Sequence, residues 1–352
     1  MPRRGKNTTH HASRVTEMGG YSTRMQTAAA IIQALGTAGA GHFVSGAALC
    51  RHLGMSRTAV WKHIEQLRGL GYGIEAAPRR GYRLLARPDK PLPSEVEPLL
   101  VTARFGRELV YHDRLDSTNR LAGVLAEAGA AEGLTVVADA QDAGRGRLDR
   151  NWHSPAGANL YFSVVLRPGV APQSVPSLAL AAGLAVLRAV GVLCPHLHVG
   201  LKWPNDLWLG GRKLGGILCE LRSELDRVHH VIVGIGLNVN VPATDWPAAL
   251  AGTAVSLREA QGKPVSRPLL LAEVLRRFEE VYDVWHRDGL KPLLPELETF
   301  SILHGRPVRV HDLAGGLSGI AVGITPAGAL LLEQADGTRR EVIAGDVRVR
   351  PA

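Results

Sequence analysis

The sequence predicts an α+β chain with an N-terminal winged helix-turn-helix, a central α+β domain and a small C-terminal β-barrel. Three patterns carry this reading: capped helical periodicity in the first quarter, irregular alternation of strand and helix patterns in the middle, and short β runs between Gly-rich turns after Ile302. With 352 residues, 45% hydrophobic and 21% charged, the chain holds enough apolar material for two or three cores. The expected division is 1–24 a disordered basic tail, 25–86 the winged helix-turn-helix, 87–98 a linker marked by Pro88, Pro91 and Pro93, 99–300 the central domain and 301–352 the C-terminal domain.

Composition excludes several classes. The apolar stretch from Leu178 to Leu193 is broken by Arg188 and reads as a buried helix rather than a membrane span. Met1-Pro2-Arg3-Arg4-Gly5-Lys6 has no apolar segment behind it, so export is not expected. Cys50, Cys194 and Cys219 are odd in number and too scattered for a disulfide framework or a zinc knuckle. A reduced, cytoplasmic protein without a membrane partner is expected. Residues 1–24 hold five Arg or Lys against one acid and residues 25–88 hold eight against two, so the rest of the chain is nearly neutral under a net charge of +9. A basic quarter on a neutral body points to a polyanion partner for that quarter.

In the first quarter, Ala28, Ile31, Ile32 and Leu35 recur at helical spacing before Gly36. Ser45 is placed to cap a second helix ended by Gly54, with Leu49 and Leu53 facing inward. Ser56 caps a third, with Val60, Ile64, Leu67 and Leu70 on its buried stripe. The last two form a helix-turn-helix whose outer face offers Arg57, Thr58, Lys62 and His63, beside Ser56, to bases and phosphates. Tyr72 to Leu84 reads as two strands around a Pro78-Arg79-Arg80-Gly81 turn, a basic wing.

In the centre, strands are expected at 135–140, 160–166, 197–202, 217–220 and 228–234, with helices from Ser117, from near Pro176 and over 268–286. No GxxxxGK[ST] loop is present, and neither Gly144-Arg145-Gly146 nor Gly234-Ile235-Gly236 continues into GxGxxG, so a nucleotide here uses neither a P-loop nor a Rossmann turn. Four segments are too polar and Gly-rich for simple core. Asp116-Ser117-Thr118-Asn119 opens a helix, where free N–H groups and hydroxyls hold either a cap or a small polar ligand. Gln141 to Trp152 alternates Gly144, Arg145, Gly146 and Arg147, which lets backbone fold closely over an anion while guanidiniums neutralise it. Lys202-Trp203-Pro204-Asn205-Asp206 sets an amine, an amide and a carboxylate at a strand end. Gly215-Gly216 and Gly234-Ile235-Gly236-Leu237-Asn238-Val239-Asn240 mark a ligand lying against strand backbone, or a bulge with turn asparagines.

Taken jointly, Ser117-Thr118-Asn119, Gly144-Arg145-Gly146-Arg147, Lys202-Trp203-Pro204-Asn205-Asp206, Lys213-Leu214-Gly215-Gly216 and Gly234 to Asn240 resemble the motif set of biotin–protein ligases in order and spacing. With its N-terminal module the chain resembles the bifunctional bacterial kind, biotin ligase and biotin operon repressor in one, over about residues 25–350. The resemblance implies a biotin/lipoate-ligase-like catalytic domain and an SH3-like C-terminal barrel. It implies that biotin and ATP, the latter with magnesium as a substrate complex, yield biotinyl-5′-AMP, and that a carrier-protein lysine then takes the biotin. No tightly bound metal is expected and no residue is assigned to one. Ser117, Thr118, Asn119 and Gln141, with the Gly215-Gly216 backbone, are implied to bind the biotin head. Arg145, Gly146 and Arg147 close over carboxylate and phosphate, and Lys202 bridges the two. Trp152, Lys213 and Asn238 face the nucleotide, and Asp206 either orients or deprotonates the incoming amine or braces Lys202. Operator DNA of biotin-synthesis genes, a biotin carboxyl carrier protein and a second copy bound in the adenylate state are the implied partners. The family often has Gly where this loop has Asp149. Two other readings stay open: a biotin-responsive repressor that no longer ligates, and a ligase for lipoate or octanoate.

Overall fold

Helix α1 (Thr27–Thr37) forms because Ala28, Ile31, Ile32 and Leu35 make one apolar stripe, and all four are buried. The computed structural model describes residues 27–37, 42–224, 227–312 and 315–349; the expected basic tail, 1–24, lies outside them, as does Met25. The chain divides into two units, Met1–Pro98 and Leu99–Ala352.

In the first unit, Ser45 Oγ accepts from Ala48 N at 3.1 Å and opens α2 (Gly46–Leu53), which ends at Gly54 with φ 63°. Ser56 Oγ likewise accepts from Ala59 N at 3.2 Å to open α3 (Arg57–Gly69), whose Val60, Ile64 and Leu67 are buried. Strands β1 (Gly73–Ala77) and β2 (Gly81–Ala86) form the antiparallel wing, and Val44 bridges Tyr82 on the other edge of β2. Gly81 is required at this corner: its φ is 105°, and a Cβ there would lie 2.0 Å from the Val44 carbonyl oxygen. The stretch expected as a linker is instead packed. It carries α4 (Pro93–Val96), its Leu92 and Val96 are buried, and Tyr72 Oη donates to Glu95 Oε1 at 2.6 Å and lies 2.8 Å from Ser94 Oγ. The prolines there stiffen an ordered segment.

The second unit holds a seven-stranded sheet. Its strands are β3 (Leu109–Leu115), β4 (Thr135–Gln141), β5 (Leu160–Leu166), β6 (Val199–Lys202), β7 (Asp206–Leu209), β8 (Arg212–Glu224) and β9 (Arg227–Leu237), in the order β3-β4-β5-β9-β8-β7-β6. Only β3 and β4 run parallel; the other neighbours are antiparallel. On one face α5 (Thr118–Glu127) seals a core of Ala122, Ala126, Leu134, Val136, Val165 and Ile232. On the other lies α6 (Leu178–Leu193), where Gly183 approaches Leu201 and Ile217. Helix α8 (Arg267–Asp288) packs on α6 and follows the short α7 (Leu257–Gln261). The helical stretch from Pro172 to Leu193 is apolar and long enough to cross a bilayer, yet 78% of its most apolar window is buried against sheet and helix. After α9 (Leu294–Phe300), β10 (Pro307–Asp312), β11 (Gly315–Ile324), β12 (Leu330–Glu333), β13 (Arg339–Val342) and β14 (Asp346–Val349) form an antiparallel sheet ordered β13-β12-β11-β10-β14. Its last strand escaped the pattern reading, as did β3 and β7.

Candidate active site

The sheet face that carries α5 opens into a cavity of about 500 Å³, within the size range of small-molecule sites. Its walls include Ser117, Thr118, Asn119, Gln141, Arg145, Gly146, Arg147, Trp152, Lys202, Asp206, Lys213, Gly216 and Asn238. All four motif segments therefore meet at one place, although they span 122 positions from Ser117 to Asn238. Gly215 is the exception. Strand alternation turns it to the opposite face, where a Cβ would meet Leu207, Leu237 and the Gly236 carbonyl.

One end of the cavity is a buried polar cluster. Ser117 occupies the N-cap position of α5 but makes no side-chain capping bond. Gln141 does that work from the end of β4, its Oε1 accepting from Thr118 N at 2.9 Å and from Thr118 Oγ1 at 3.2 Å. Ser163 Oγ lies 2.7 Å from Thr118 Oγ1 and 2.6 Å from Asn119 Oδ1. Asn119 Nδ2 donates to Glu220 Oε2 at 2.7 Å, which fixes the amide's orientation. The glycines of β9 make room for this: a Cβ on Gly234 would lie 1.9 Å from Asn119 Oδ1, and one on Gly236 would lie 2.7 Å from the Trp152 ring.

The Gly-Arg loop arches over the same face. Gly146 N donates to the Arg150 carbonyl at 2.7 Å and Trp152 N to the Gly144 carbonyl at 2.8 Å, closing the loop on itself. Leu148 holds its crest at φ 55° and is 72% exposed. Arg145 pairs with Glu220 at 2.9 Å, and Arg150 pairs with Asp346 of β14. Arg147 Nη1 donates to Asn205 Oδ1 at 3.2 Å.

Lys202 ends β6 with its Nζ 4.5 Å from the centre of the Trp208 ring. Burial pulls its pKa below the ordinary lysine value, against the opposing pull of Asp206 and Asp346. Asp346 is held below the usual carboxylate range: burial opposes this, but the Arg150 bond and the charges of Arg150, Lys202 and Arg147 prevail. Asp206 makes its ion pair with Lys213, at 2.7 Å, and acts on Lys202, its cross-strand neighbour, through charge alone. Among the described residues, then, Lys213, Arg145 and Arg150 are matched to carboxylates while Lys202 and Arg147 are not. Those two bring positive charge without an ion pair into the cavity, with Asp206 and Asp346 near enough to act on Lys202 and Asp346 on Arg147. The Lys202 turn is anchored by Trp203, whose Nε1 donates to the Gly328 carbonyl at 2.9 Å.

Lys213 Nζ lies 5.3 Å from the Trp152 ring centre, and Asn238 is buried with its Nδ2 donating to the Lys213 carbonyl at 3.3 Å. Sequence reasoning missed Glu220, Trp208, Trp246 and Asp346, which also border the cavity or its ion pairs. Glu220 lay just beyond the Lys213 motif, whereas Trp246 and Asp346 come from segments with no motif at all.

In the first unit, Arg57, Thr58 and Lys62 are exposed near the start of α3, while Ser56 Oγ is engaged in capping. Arg79 stands exposed at the wing turn with φ 63°. The Arg80 guanidinium lies 4.1 Å over the Phe43 ring. Trp61, 52% exposed on α3, was not anticipated.

Residues 111–238 match the biotin/lipoate A/B protein ligase family, 30–83 a helix-turn-helix domain, and 303–350 the biotin protein ligase C-terminal domain. The bifunctional ligase/repressor BirA of Bacillus subtilis (strain 168) is 41% identical over 307 residues, covering 87% of this chain and 94% of the relative. The chain belongs to the biotin protein ligase family. The BirA of Escherichia coli (strain K12) is 34% identical over 316 residues, covering 89% and 94% of the two chains. Among solved structures, the Aquifex aeolicus biotin protein ligase in complex with biotin and ATP superposes with a TM-score of 0.61 at 30% identity, covering 69% of this chain and all of that one. In this chain a helix-turn-helix domain, a ligase domain and a C-terminal domain follow one another in that order.

Proposed function

We propose that this protein is an ATP-dependent biotin–[biotin carboxyl carrier protein] ligase that also acts as a biotin-responsive transcriptional repressor. The observation that carries the ligase reading is the pair of unmatched cations, Lys202 and Arg147, in one cavity with the buried Asn119 cluster. Two negative reactants, a carboxylate and a triphosphate, repel one another, and fixed positive charge in a partly desolvated pocket offsets that repulsion. A biotin carboxylate oxygen bonds to the α-phosphorus of ATP, pyrophosphate leaves, and biotinyl-5′-AMP forms. The carrier lysine amine then bonds to the acyl carbon, AMP leaves, and the amine gives up its proton. Both substrates bring their own reacting groups, so the protein acts by positioning and charge.

In this reading Ser117, Thr118, Asn119 and Gln141 hold the biotin head beside the Gly216 backbone. Arg145, Gly146 and Arg147 close over carboxylate and phosphate, and Lys202 spans both. Trp152, Lys213 and Asn238 face the nucleotide, with Asp206 orienting Lys213. Magnesium enters with ATP as part of that substrate. The protein works in the cytoplasm, where ATP and operator DNA are found, and the adenylate favours a dimer on DNA of biotin-synthesis genes through Ser56, Arg57, Thr58, Lys62, Arg79 and Arg80. Transfer of labelled biotin from the purified protein plus ATP to a carrier domain tests the ligase. Transfer is expected with biotin and not with lipoate or octanoate; ATP-independent labelling, or none, refutes it.

On the DNA side, Arg57→Ala and Lys62→Ala are each expected to lower the slope of log affinity against log salt by about one and to leave biotin transfer at the wild-type rate. A salt dependence identical to wild type in both variants places the interface elsewhere.

A further inference from the structure

We infer that Asn159 is a positioning residue that fixes which atoms of the Asn238 amide face the nucleotide; this rests on the proposed placement of Asn238 beside ATP. Asn159 is fully buried just before β5, and no motif drew attention to it. Its segment is tied at every residue. Gly157 N donates to Asp139 Oδ2 at 3.0 Å, the Ala158 carbonyl accepts from Asn240 N at 2.7 Å, and the Asn159 carbonyl accepts from Arg267 Nη1 at 3.0 Å. Arg267, itself buried at the start of α8, also donates to Asp139 Oδ1 at 2.8 Å.

The polarity of the side chains follows from groups that have no choice. Val239 N–H can only donate, so the Asn159 atom facing it, at 2.8 Å, is Oδ1. The other terminus of Asn159 is then Nδ2, which donates to Asn238 across 3.4 Å, so the facing atom of Asn238 is Oδ1. Asn238 Nδ2 is left toward the Lys213 carbonyl, which can only accept, at 3.3 Å. Each assignment agrees with the next, and the chain begins at a backbone amide that cannot flip. Asn238 therefore meets the cavity with one N–H and one lone pair in fixed places, with no flip to be paid for when nucleotide arrives.

Asn159→Asp tests this with almost no change of shape. One carboxylate oxygen still accepts from Val239 N–H, but the other sets an acceptor against Asn238 Oδ1. The Asn238 amide must then flip, turning its oxygen onto the Lys213 carbonyl, or lose its partner. The KM for ATP is expected to rise about tenfold, the cost of roughly one misplaced buried hydrogen bond. The affinity for biotin, at the far end of the cavity, and kcat at saturating ATP should stay within twofold. A purely structural lesion would instead lower the active fraction and hence kcat. Asn159→Ala and Asn238→Ala, singly and together, form a second arm should the buried carboxylate prevent folding: the double variant is expected to raise the ATP KM no further than Asn238→Ala alone. If Asn238→Ala raises that KM but Asn159→Asp leaves it unmoved, or the two alanine effects add, the positioning role is wrong while the nucleotide assignment stands. If Asn238→Ala itself leaves the KM unmoved, the nucleotide assignment fails and the inference fails with it.

Discussion

Lys202→Ala is expected to lower the rate of adenylate formation by about 10²–10³-fold, the usual cost of removing one preorganised charge from a transition state, with the fold retained. Among the cavity's cations Lys202 is distinguished by its surroundings. Burial depresses its pKa, the Trp208 ring supports its ammonium at 4.5 Å, and no carboxylate pairs with it among the described residues. Arg145 and Lys213 already have carboxylates at 2.9 and 2.7 Å, so part of their charge is spent within the protein. A compact, weakly screened point charge is also the right shape to span a carboxylate and a phosphate oxygen. Pyrophosphate release in single-turnover experiments reads the step directly. Its side chain leaves no large hole, so thermal unfolding should stay near wild type; an unchanged rate would mean that another cation carries the chemistry.

Gly234→Ala, the addition of one methyl group, is expected to have the next largest effect. That carbon would sit 1.9 Å from Asn119 Oδ1, and Asn119 has no room to yield because Ser163 and Glu220 hold it at 2.6 and 2.7 Å. Overpacking of this kind costs about 1–3 kcal/mol; concentrated at the biotin end of the cavity, it corresponds to roughly 5- to 150-fold in affinity. Biotin titration calorimetry measures it. Gly123→Ala on α5 is the control, since a Cβ there would meet nothing within 4 Å and the cluster around Asn119 should remain intact. Equal losses in the two variants would show that the contact with Asn119 is not what lowers the affinity.

How much of this was readable beforehand depended on the range of the interactions involved. Ser45, Ser56 and Gly54 act within one turn of chain, and their capping roles were legible as local chemistry. The Gly234–Gly236 spacing was legible for a similar reason: two glycines at strand period leave one face bare. At Ser117 the sequence left a cap and a ligand contact both open. The capping oxygen comes from Gln141, which only the parallel pairing of β3 with β4 brings near. That Gly216 and not Gly215 turns toward the cavity follows from strand alternation, but which of the two does so is set only by the register of β8. The packing of 87–98 was hidden behind its prolines, and its partner Tyr72 lies across the wing. Asp346 reaches the site from a four-residue strand with no motif, so nothing short of the fold places it beside Arg150.

Biotin-dependent exchange of labelled pyrophosphate into ATP tests the central claim most directly, because it reports joining of the two anionic substrates before any carrier protein is involved. Exchange should appear only when biotin is present and should collapse in Lys202→Ala and Arg147→Ala. Exchange that proceeds without biotin, or that survives loss of both cations, would contradict a cavity built to bring those two negative charges together.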